Sequence, residues 1–252
     1  LDLSELTIRG TGVAVEVDDL ASAVVTNIEI DGVTVDQSNS AINAYGTLSL
    51  RDSLLHNVTS NNDGALLSVY GDALVDVQST RFENSQAFNG GAVTIEDGAV
   101  ADFADCSFLL NTATNEGGAV AVRNQAFVEF FDTTFEGNNA GAGGAVQQAG
   151  SSAVECRSCT FLSNQATRGG AVDMRQDSLL DITQSSFEAN DASAFGGALN
   201  LEAEPVVTID SSTFDFNTAS NDGGAICAWL SPHAWKLTIT NSDFTDNSGR
   251  AG

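Results

Sequence analysis

The sequence is short of positive charge, proline and long apolar runs. Its 252 residues include 34 Asp and Glu but only 9 Lys and Arg, which gives a formal net charge of −25. Proteins that bind nucleic acids need clustered cations to contact phosphates, so this composition predicts no nucleic-acid partner. No apolar stretch approaches the roughly 18 residues of a membrane-spanning helix, and we expect no direct membrane insertion.

Glycine is abundant although proline is nearly absent. The chain has 24 Gly and 2 Pro, whereas loop-rich proteins commonly use both, so we expect Gly to have a recurring structural role. Hydrophobic residues make up 42% of the chain, which is enough to build a core. The first residues lack a signal-peptide pattern, and we expect a processed product or a fragment of a longer polypeptide.

Two motifs repeat with a nearly constant period, and both occur six times. The first, Gly-Gly-Ala followed by Val, Leu or Ile, begins at Gly90, Gly117, Gly143, Gly169, Gly196 and Gly223. The second, Phe-x-x-Asn, begins at Phe108, Phe135, Phe161, Phe187, Phe214 and Phe244. Phe82 opens a seventh copy with Ser85 in place of Asn. We interpret residues 1–252 as a single segment with degenerate N-terminal repeats over 1–46 and regular repeats over 47–252.

Each repeat predicts short strands and corners and no helix. The positions seven and five before the Phe are apolar and the position between them is polar, which is the alternation of a half-buried strand. Another strand is predicted after each Gly-Gly pair. Three short strands in 26–27 residues are typical of one rung of a parallel β-helix, so we predict an all-β solenoid of about nine rungs. Like residues one repeat apart then stack at roughly 4.8 Å.

The last residues match the segment that precedes a Gly-Gly-Ala motif. Gly252 follows Asn247 by five residues, a spacing at which the first Gly of a pair occurs elsewhere. Because the open strand edges of a solenoid need a cover, we expect the array to continue beyond residue 252 or to meet another chain or domain.

The two motifs together resemble the paired repeats of the chlamydial polymorphic outer-membrane proteins and of related β-helical surface proteins. The similarity covers roughly residues 47–252. It implies a right-handed β-helix, an extracellular or cell-surface location and an adhesive role. We therefore expect a non-catalytic structural or adhesive rod, a component of a surface filament or appendage, or alternatively an adhesin passenger. Its expected partners are other protein chains, through self-assembly or in a filament, or cell-surface glycans.

An enzyme that acts on polysaccharides is a further alternative, because lyases and hydrolases are also built on right-handed β-helices. Such an enzyme needs carboxylates, usually with a basic residue, on one face of adjacent rungs. Asp173, Arg175 and Glu202 form the best such cluster. However, Arg175 and Glu202 stack as neighbours of opposite charge, as do Glu96 and Arg123, and cross-strand pairing explains both pairs without catalysis.

One outward column carries a carboxylate on five consecutive rungs. Carboxylates about 5 Å apart repel each other by on the order of 1 kcal/mol in water. One hypothesis is that calcium binds between the rungs, since Ca²⁺ takes several carboxylate oxygens. The other is a solvated acidic face that salt screens, and beyond calcium we expect no cofactor. The column and its acidic corner residues are Asp76, Asp102, Asp105, Glu129, Asp132, Glu155 and Asp181.

No two of the four cysteines are 26 or 27 residues apart, so no disulfide joins adjacent rungs. Cys156 and Cys159 are either buried small residues or a local corner disulfide. One C-x-x-C and two His in the chain do not match the pattern of a structural zinc site.

Two surface features are candidates for attachment or binding. Asn57 begins the N-glycosylation sequon Asn57-Val58-Thr59 at a predicted corner. Trp229 and Trp235 lie in the longest insertion, where they either stack on a sugar or a partner or cover neighbouring apolar surface.

Overall fold

A computed structural model, which describes residues 1–35, 40–230 and 236–250, shows a parallel β-solenoid. All strand pairs in these ranges are parallel and join one rung to the next. One sequence repeat is one rung: Phe82, Phe108 and Phe135 are partners in three successive strands. The described residues contain no helix.

Sheets 1 and 2 contain ten strands each and meet at a corner two residues long. The strands of sheet 1 are Asp2–Ser4, Ser22–Thr26, Thr47–Arg51, Leu74–Gln78, Val100–Ala104, Phe127–Phe131, Ala153–Arg157, Leu179–Thr183, Val206–Asp210 and Lys236–Thr240. The strands of sheet 2 are Thr7–Ile8, Glu29–Asp31, Leu54–His56, Arg81–Glu83, Ser107–Leu109, Thr134–Glu136, Thr160–Leu162, Ser186–Glu188, Thr213–Asp215 and Asp243–Thr245.

Sheets 3 and 4 lie on either side of the Gly-Gly corner and contain eight and nine strands. The strands of sheet 3 are Thr34–Val35, Thr59–Ser60, Gln86–Asn89, Thr112–Glu116, Asn139–Ala142, Gln165–Arg168, Asp191–Phe195 and Thr218–Ala219. The strands of sheet 4 are Val15–Val17, Ile42–Ala44, Leu67–Val69, Val93–Ile95, Val120–Val122, Val146–Gln148, Val172–Met174, Leu199–Ala203 and Ile226–Leu230.

The expectation of three strands per rung was wrong, because sheet 3 adds a fourth. Its inward residue is a small Ala, such as Ala113 or Ala140, so its sequence lacks the large apolar residues that reveal sheets 1 and 4. Sheet 3 also absorbs the difference between rungs of 26 and 27 residues. Its register is regular where two 26-residue rungs meet and shifts where a 26-residue rung meets a 27-residue rung.

The Phe residues form the centre of the core. From Phe82 to Phe244 each ring stacks on the ring of the next rung, with centroids 4.4–4.9 Å apart and planes within 6° of parallel. Phe103 and Phe130 of sheet 1 meet this stack edge-on. Offset aromatic contacts of this kind stabilise the core beyond the burial of apolar area.

A buried Asn ladder closes the corner between sheets 2 and 3. In one rung, Asn138 Nδ2 donates to the Phe108 carbonyl at 2.9 Å and to Asn164 Oδ1 at 3.0 Å. The Asn138 Oδ1 in turn accepts the Asn111 backbone N–H at 2.9 Å. Corner backbone groups have no strand partner, so these side chains satisfy hydrogen bonds that burial would otherwise leave unmade. Ser85 takes the Asn position at the start of the ladder.

The two glycines of each pair have different roles. Gly117 adopts φ +64°, the left-handed region that side chains disfavour. A Cβ on Gly118 would lie 2.0 Å from the carbonyl oxygen of Gly144 in the next rung. The corner is therefore a place where successive backbones approach too closely for any side chain.

Replacing one Asn of the ladder should destabilise the solenoid locally. The Asn138→Ala variant leaves the Phe108 carbonyl and the Asn111 N–H without partners, and we expect a loss of roughly 2–4 kcal/mol in unfolding free energy. Asn139→Ala, which changes the exposed neighbouring residue, is the matched control. Chemical denaturation measures both variants, and equal losses would contradict the role of the ladder.

Candidate functional site

The charged cluster predicted around Asp173 is present in the structure. Asp173 is the middle residue of the strand Val172–Met174, and Arg175 follows the same strand. Arg175 Nε lies 2.8 Å from Asp173 Oδ2 and 4.0 Å from Glu202 Oε2. The Asp173 side chain has no exposed surface, and Asn200 Nδ2 donates to its other oxygen at 2.8 Å. The sequence did not indicate this burial.

The geometry of the glycine corner explains why Asp173 is buried. Side chains at the middle position of each sheet 4 strand point outward by the alternation of a strand. The chain folds back over them at the Gly-Gly corner, since a Cβ on Gly169 would lie 2.1 Å from the Val172 carbonyl oxygen. The outward column is therefore covered by its own corner. Its buried polar members are Asn43, Ser68, Thr94, Gln147, Asp173 and Asn200.

A second cluster is centred on Arg123. The predicted pair with Glu96 is confirmed, with Arg123 Nη1 3.3 Å from Glu96 Oε1. The same guanidinium also binds Asp63 at 3.1 Å and Glu116 at 3.1 Å. Desolvation raises the pKa of Glu96, against the opposing effect of Arg123.

Glu116 joins the two clusters into one network. Its second oxygen accepts from Arg175 Nη1 at 2.7 Å, across 59 residues of sequence and two rungs. Arg168 extends the network to Glu202 at 3.5 Å. We call the residues of this network the corner strip. It contains three of the nine cationic residues of the chain, so positive charge is concentrated there. Its members are Asp63, Glu96, Glu116, Arg123, Arg168, Asp173, Arg175 and Glu202.

Sequence reasoning missed Glu116 and Asp63. Stacking by one repeat identifies neighbours within a column, whereas these residues contact arginines of a different column, about two rungs away. The available signal was position: both residues directly precede a glycine of the corner, where the chain turns back over sheet 4.

The predicted carboxylate column lies on the outer face of sheet 1. Asp76, Asp102, Glu129, Glu155 and Asp181 are register partners in five successive strands. Desolvation, Glu129 and Asp76 together raise the pKa of Asp102.

Arginines of sheet 1 relieve part of this repulsion. Arg51 pairs with Asp76, and Arg157 lies 2.7 Å from Glu155 and 3.6 Å from Glu129. The corner residues Asp105 and Asp132 have positive φ values of 54° and 45°. Calcium binding to the column and these corners stays a prediction.

The remaining predicted residues lie apart from the corner strip. Cys156 and Cys159 are buried free thiols, and contact with Cys159 together with burial raises the pKa of Cys156. Trp229 is 51% exposed and meets Phe195 edge-on at 5.4 Å. Trp235 lies outside the described residues. Asn57 is an exposed corner residue with φ 56°, and glycosylation there stays a prediction.

No family model, curated protein or solved structure matches the chain. Within the described ranges, no helix is long and apolar enough to cross a membrane.

The stability of the protein should depend on the ionisation of Asp173. Desolvation raises its pKa from an ordinary value of 3.8 to about 6, despite the opposing effects of Arg175 and Asn200. The folded state therefore binds this proton more tightly than the unfolded state, and the resulting stability is lost as pH rises from 3.8 through about 6. We expect Asp173→Asn to gain roughly 2–3 kcal/mol relative to the wild type between pH 4 and pH 8.

Denaturant titrations at several pH values measure this difference. Glu136→Gln, which changes an exposed carboxylate of sheet 2, should show no such gain. A difference between wild type and Asp173→Asn that is constant with pH would contradict the raised pKa.

Proposed function

We propose that the chain is a rigid β-helical rod of an extracellular surface, with a structural or adhesive role and no catalytic one. The observation that carries the proposal is the continuity of the internal ladders. The Phe stack extends from Phe82 to Phe244, and the Asn ladder extends from Asn111 to Asn247. From Phe82 onward such ladders couple each rung to the next, so bending or stretching this part of the rod would break many contacts at once.

The distribution of charge supports the same proposal. In the corner strip, each of the three arginines is paired with a carboxylate of the chain itself, which leaves few cations to hold an acidic substrate. The excess of negative charge lies on outer columns such as that of Asp102 and Glu129. An acidic surface keeps a long rod soluble and limits its non-specific association.

The resemblance of the repeats supports the cellular setting. In the chlamydial polymorphic outer-membrane proteins, similar repeats belong to a secreted β-helical passenger with adhesive roles. By this similarity we assign the rod to the cell surface, as part of a filament or appendage or as an adhesin passenger. Its partners would be further protein chains or surface glycans, and the exposed ring of Trp229 is the contact that we favour for a glycan.

Electron microscopy and binding assays on the purified chain distinguish these roles. A structural role predicts uniform rods that associate end to end or side by side. An adhesive role predicts saturable binding to cells or glycans that Trp229→Ala weakens at least tenfold, about 1.4 kcal/mol. Phe88→Ala, which removes another exposed aromatic ring, should leave that binding unchanged. A chain that neither assembles nor binds would contradict the proposal.

A polysaccharide-active enzyme is the second candidate, favoured by the raised pKa of Asp173, about 6, beside Arg175. A carboxylic acid tuned toward neutrality is a feature of general acids. Against this, the Asp173 side chain has no exposed surface through which to reach a sugar. Turnover of a uronate polymer that is lost in both Asp173→Ala and Arg175→Ala, but kept in Glu136→Gln, would establish the enzyme and overturn the rod proposal.

A further inference from the structure

Three side chains converge on the outer face of sheet 2, in the degenerate N-terminal rungs. Glu29 and Asp31 lie two residues apart on one strand, and His56 is the register partner of Asp31 on the next strand. His56 Nε2 lies 3.2 Å from Glu29 Oε1 and 3.7 Å from Asp31 Oδ1. Within the described ranges, this is the one group of three His, Cys, Asp or Glu side chains whose ligand atoms all lie within 4.8 Å of one another.

Neighbouring residues hold the far side of each carboxylate. Arg9 Nε donates to Asp31 Oδ2 at 2.9 Å, and Thr7 Oγ1 donates to Glu29 Oε2 at 3.3 Å. The near oxygens, Asp31 Oδ1 and Glu29 Oε1, are thereby directed at the imidazole. Asn57 Nδ2 also donates to the near oxygen Asp31 Oδ1 at 3.0 Å.

We propose that Glu29, Asp31 and His56 form a binding site for a divalent transition-metal ion of the zinc type. Zinc lies about 2.0–2.2 Å from imidazole nitrogen and carboxylate oxygen, so two ligands of a tetrahedral site are about 3.3 Å apart. The distances of 3.2 and 3.7 Å from His56 Nε2 to the two oxygens are close to that ligand–ligand distance. Small rotations of the side chains therefore suffice to bind the ion.

The ligand set favours zinc or a similar ion over calcium. Calcium takes six to eight oxygen ligands, whereas this site offers one nitrogen and two oxygens directed at a single point. Three protein ligands leave the fourth tetrahedral position to solvent, and the partial exposure of the three side chains allows this.

The second imidazole nitrogen also has a suitable partner. Asn57 Nδ2 lies 2.7 Å from His56 Nδ1, the ring nitrogen that faces away from Glu29 and Asp31. A metal ion at Nε2 would place the ring proton on Nδ1, and Asn57 would accept it through Oδ1 by turning its amide, in exchange for its bonds to Asp31 and Asn84. Outer-shell contacts of this kind orient a histidine ligand and strengthen its binding.

The position of the site gives it a structural role. The inward column of sheet 2 reads Ile30 and Leu55 before the first stacked ring, Phe82. The Asn ladder likewise starts only with Ser85 and Asn111. A metal held by strands of two adjacent rungs would join the N-terminal rungs where both internal ladders are missing.

Titration of the purified chain with Zn²⁺ tests the site. We expect one saturable site per chain by calorimetry and a rise in melting temperature, with Co²⁺ giving the absorption bands of a nitrogen-containing site. His56→Gln should weaken Zn²⁺ binding at least tenfold, while its amide can still donate to Glu29 and keep the fold. Matched controls are His233→Gln, which removes the other histidine of the chain, and Glu83→Gln, which removes the next carboxylate of the same column.

Two results would overturn the proposal. One is the absence of saturable Zn²⁺ binding to a wild type that circular dichroism shows to be folded. The other is an unchanged Zn²⁺ affinity in His56→Gln, which would mean that the ion binds to surface carboxylates in general and not to this site. A parallel titration with Ca²⁺ distinguishes this site from the carboxylate column of sheet 1, because His56→Gln should not alter calcium binding to that column.

Discussion

The whole structure depends on parallel hydrogen bonding of each rung to the next, which keeps equivalent positions of the repeat in one column. A slip of one residue would turn every inward side chain outward, so rungs of 26 and 27 residues must place their extra residue where no large side chain changes sides. The extra residue lies in sheet 3, between the inward Ala and the Gly-Gly corner, and the register shifts there. Sheets 1, 2 and 4 keep their register, and with it the Phe and Asn ladders.

The same constraint produces the corner strip. Close packing of glycine backbones, as between Gly118 and Gly144, folds the chain over the outer face of sheet 4 and removes its middle column from water. Polar residues at that column can then pair only with other groups of the protein, and charged residues at its margins lie near enough to one another to pair. Glu116 bonds to two arginines for this reason. Burial of a carboxyl such as Asp173 costs stability unless it is protonated or paired, so the corner combines ion pairing with a raised pKa.

Columns could be predicted from the sequence, but the folding of the corners could not. The Phe, Asn and Gly columns follow from spacing alone, and so do the pair Glu96–Arg123 and the carboxylates of sheet 1. Sheet 3 was missed because its inward residue is Ala. The burial of Asp173 was missed because the alternation of a strand predicts which way a side chain points, but not whether another segment of the chain covers it. The convergence of Asp31 and His56 was hidden because these residues are 25 apart, outside the period of the regular repeats.

Distances between spin labels on one outer column test in-register stacking most directly. One outward column of sheet 2 contains Arg81, Thr160 and Thr213. Thr160 lies three rungs from Arg81, and Thr213 lies five rungs from Arg81. With non-canonical amino-acid labels that leave the native cysteines unmodified, the account predicts backbone separations of about 14 Å for Arg81 and Thr160 and about 24 Å for Arg81 and Thr213. The distributions should be narrow, as expected for a stiff rod. Separations that do not increase in proportion to the number of rungs would contradict the account.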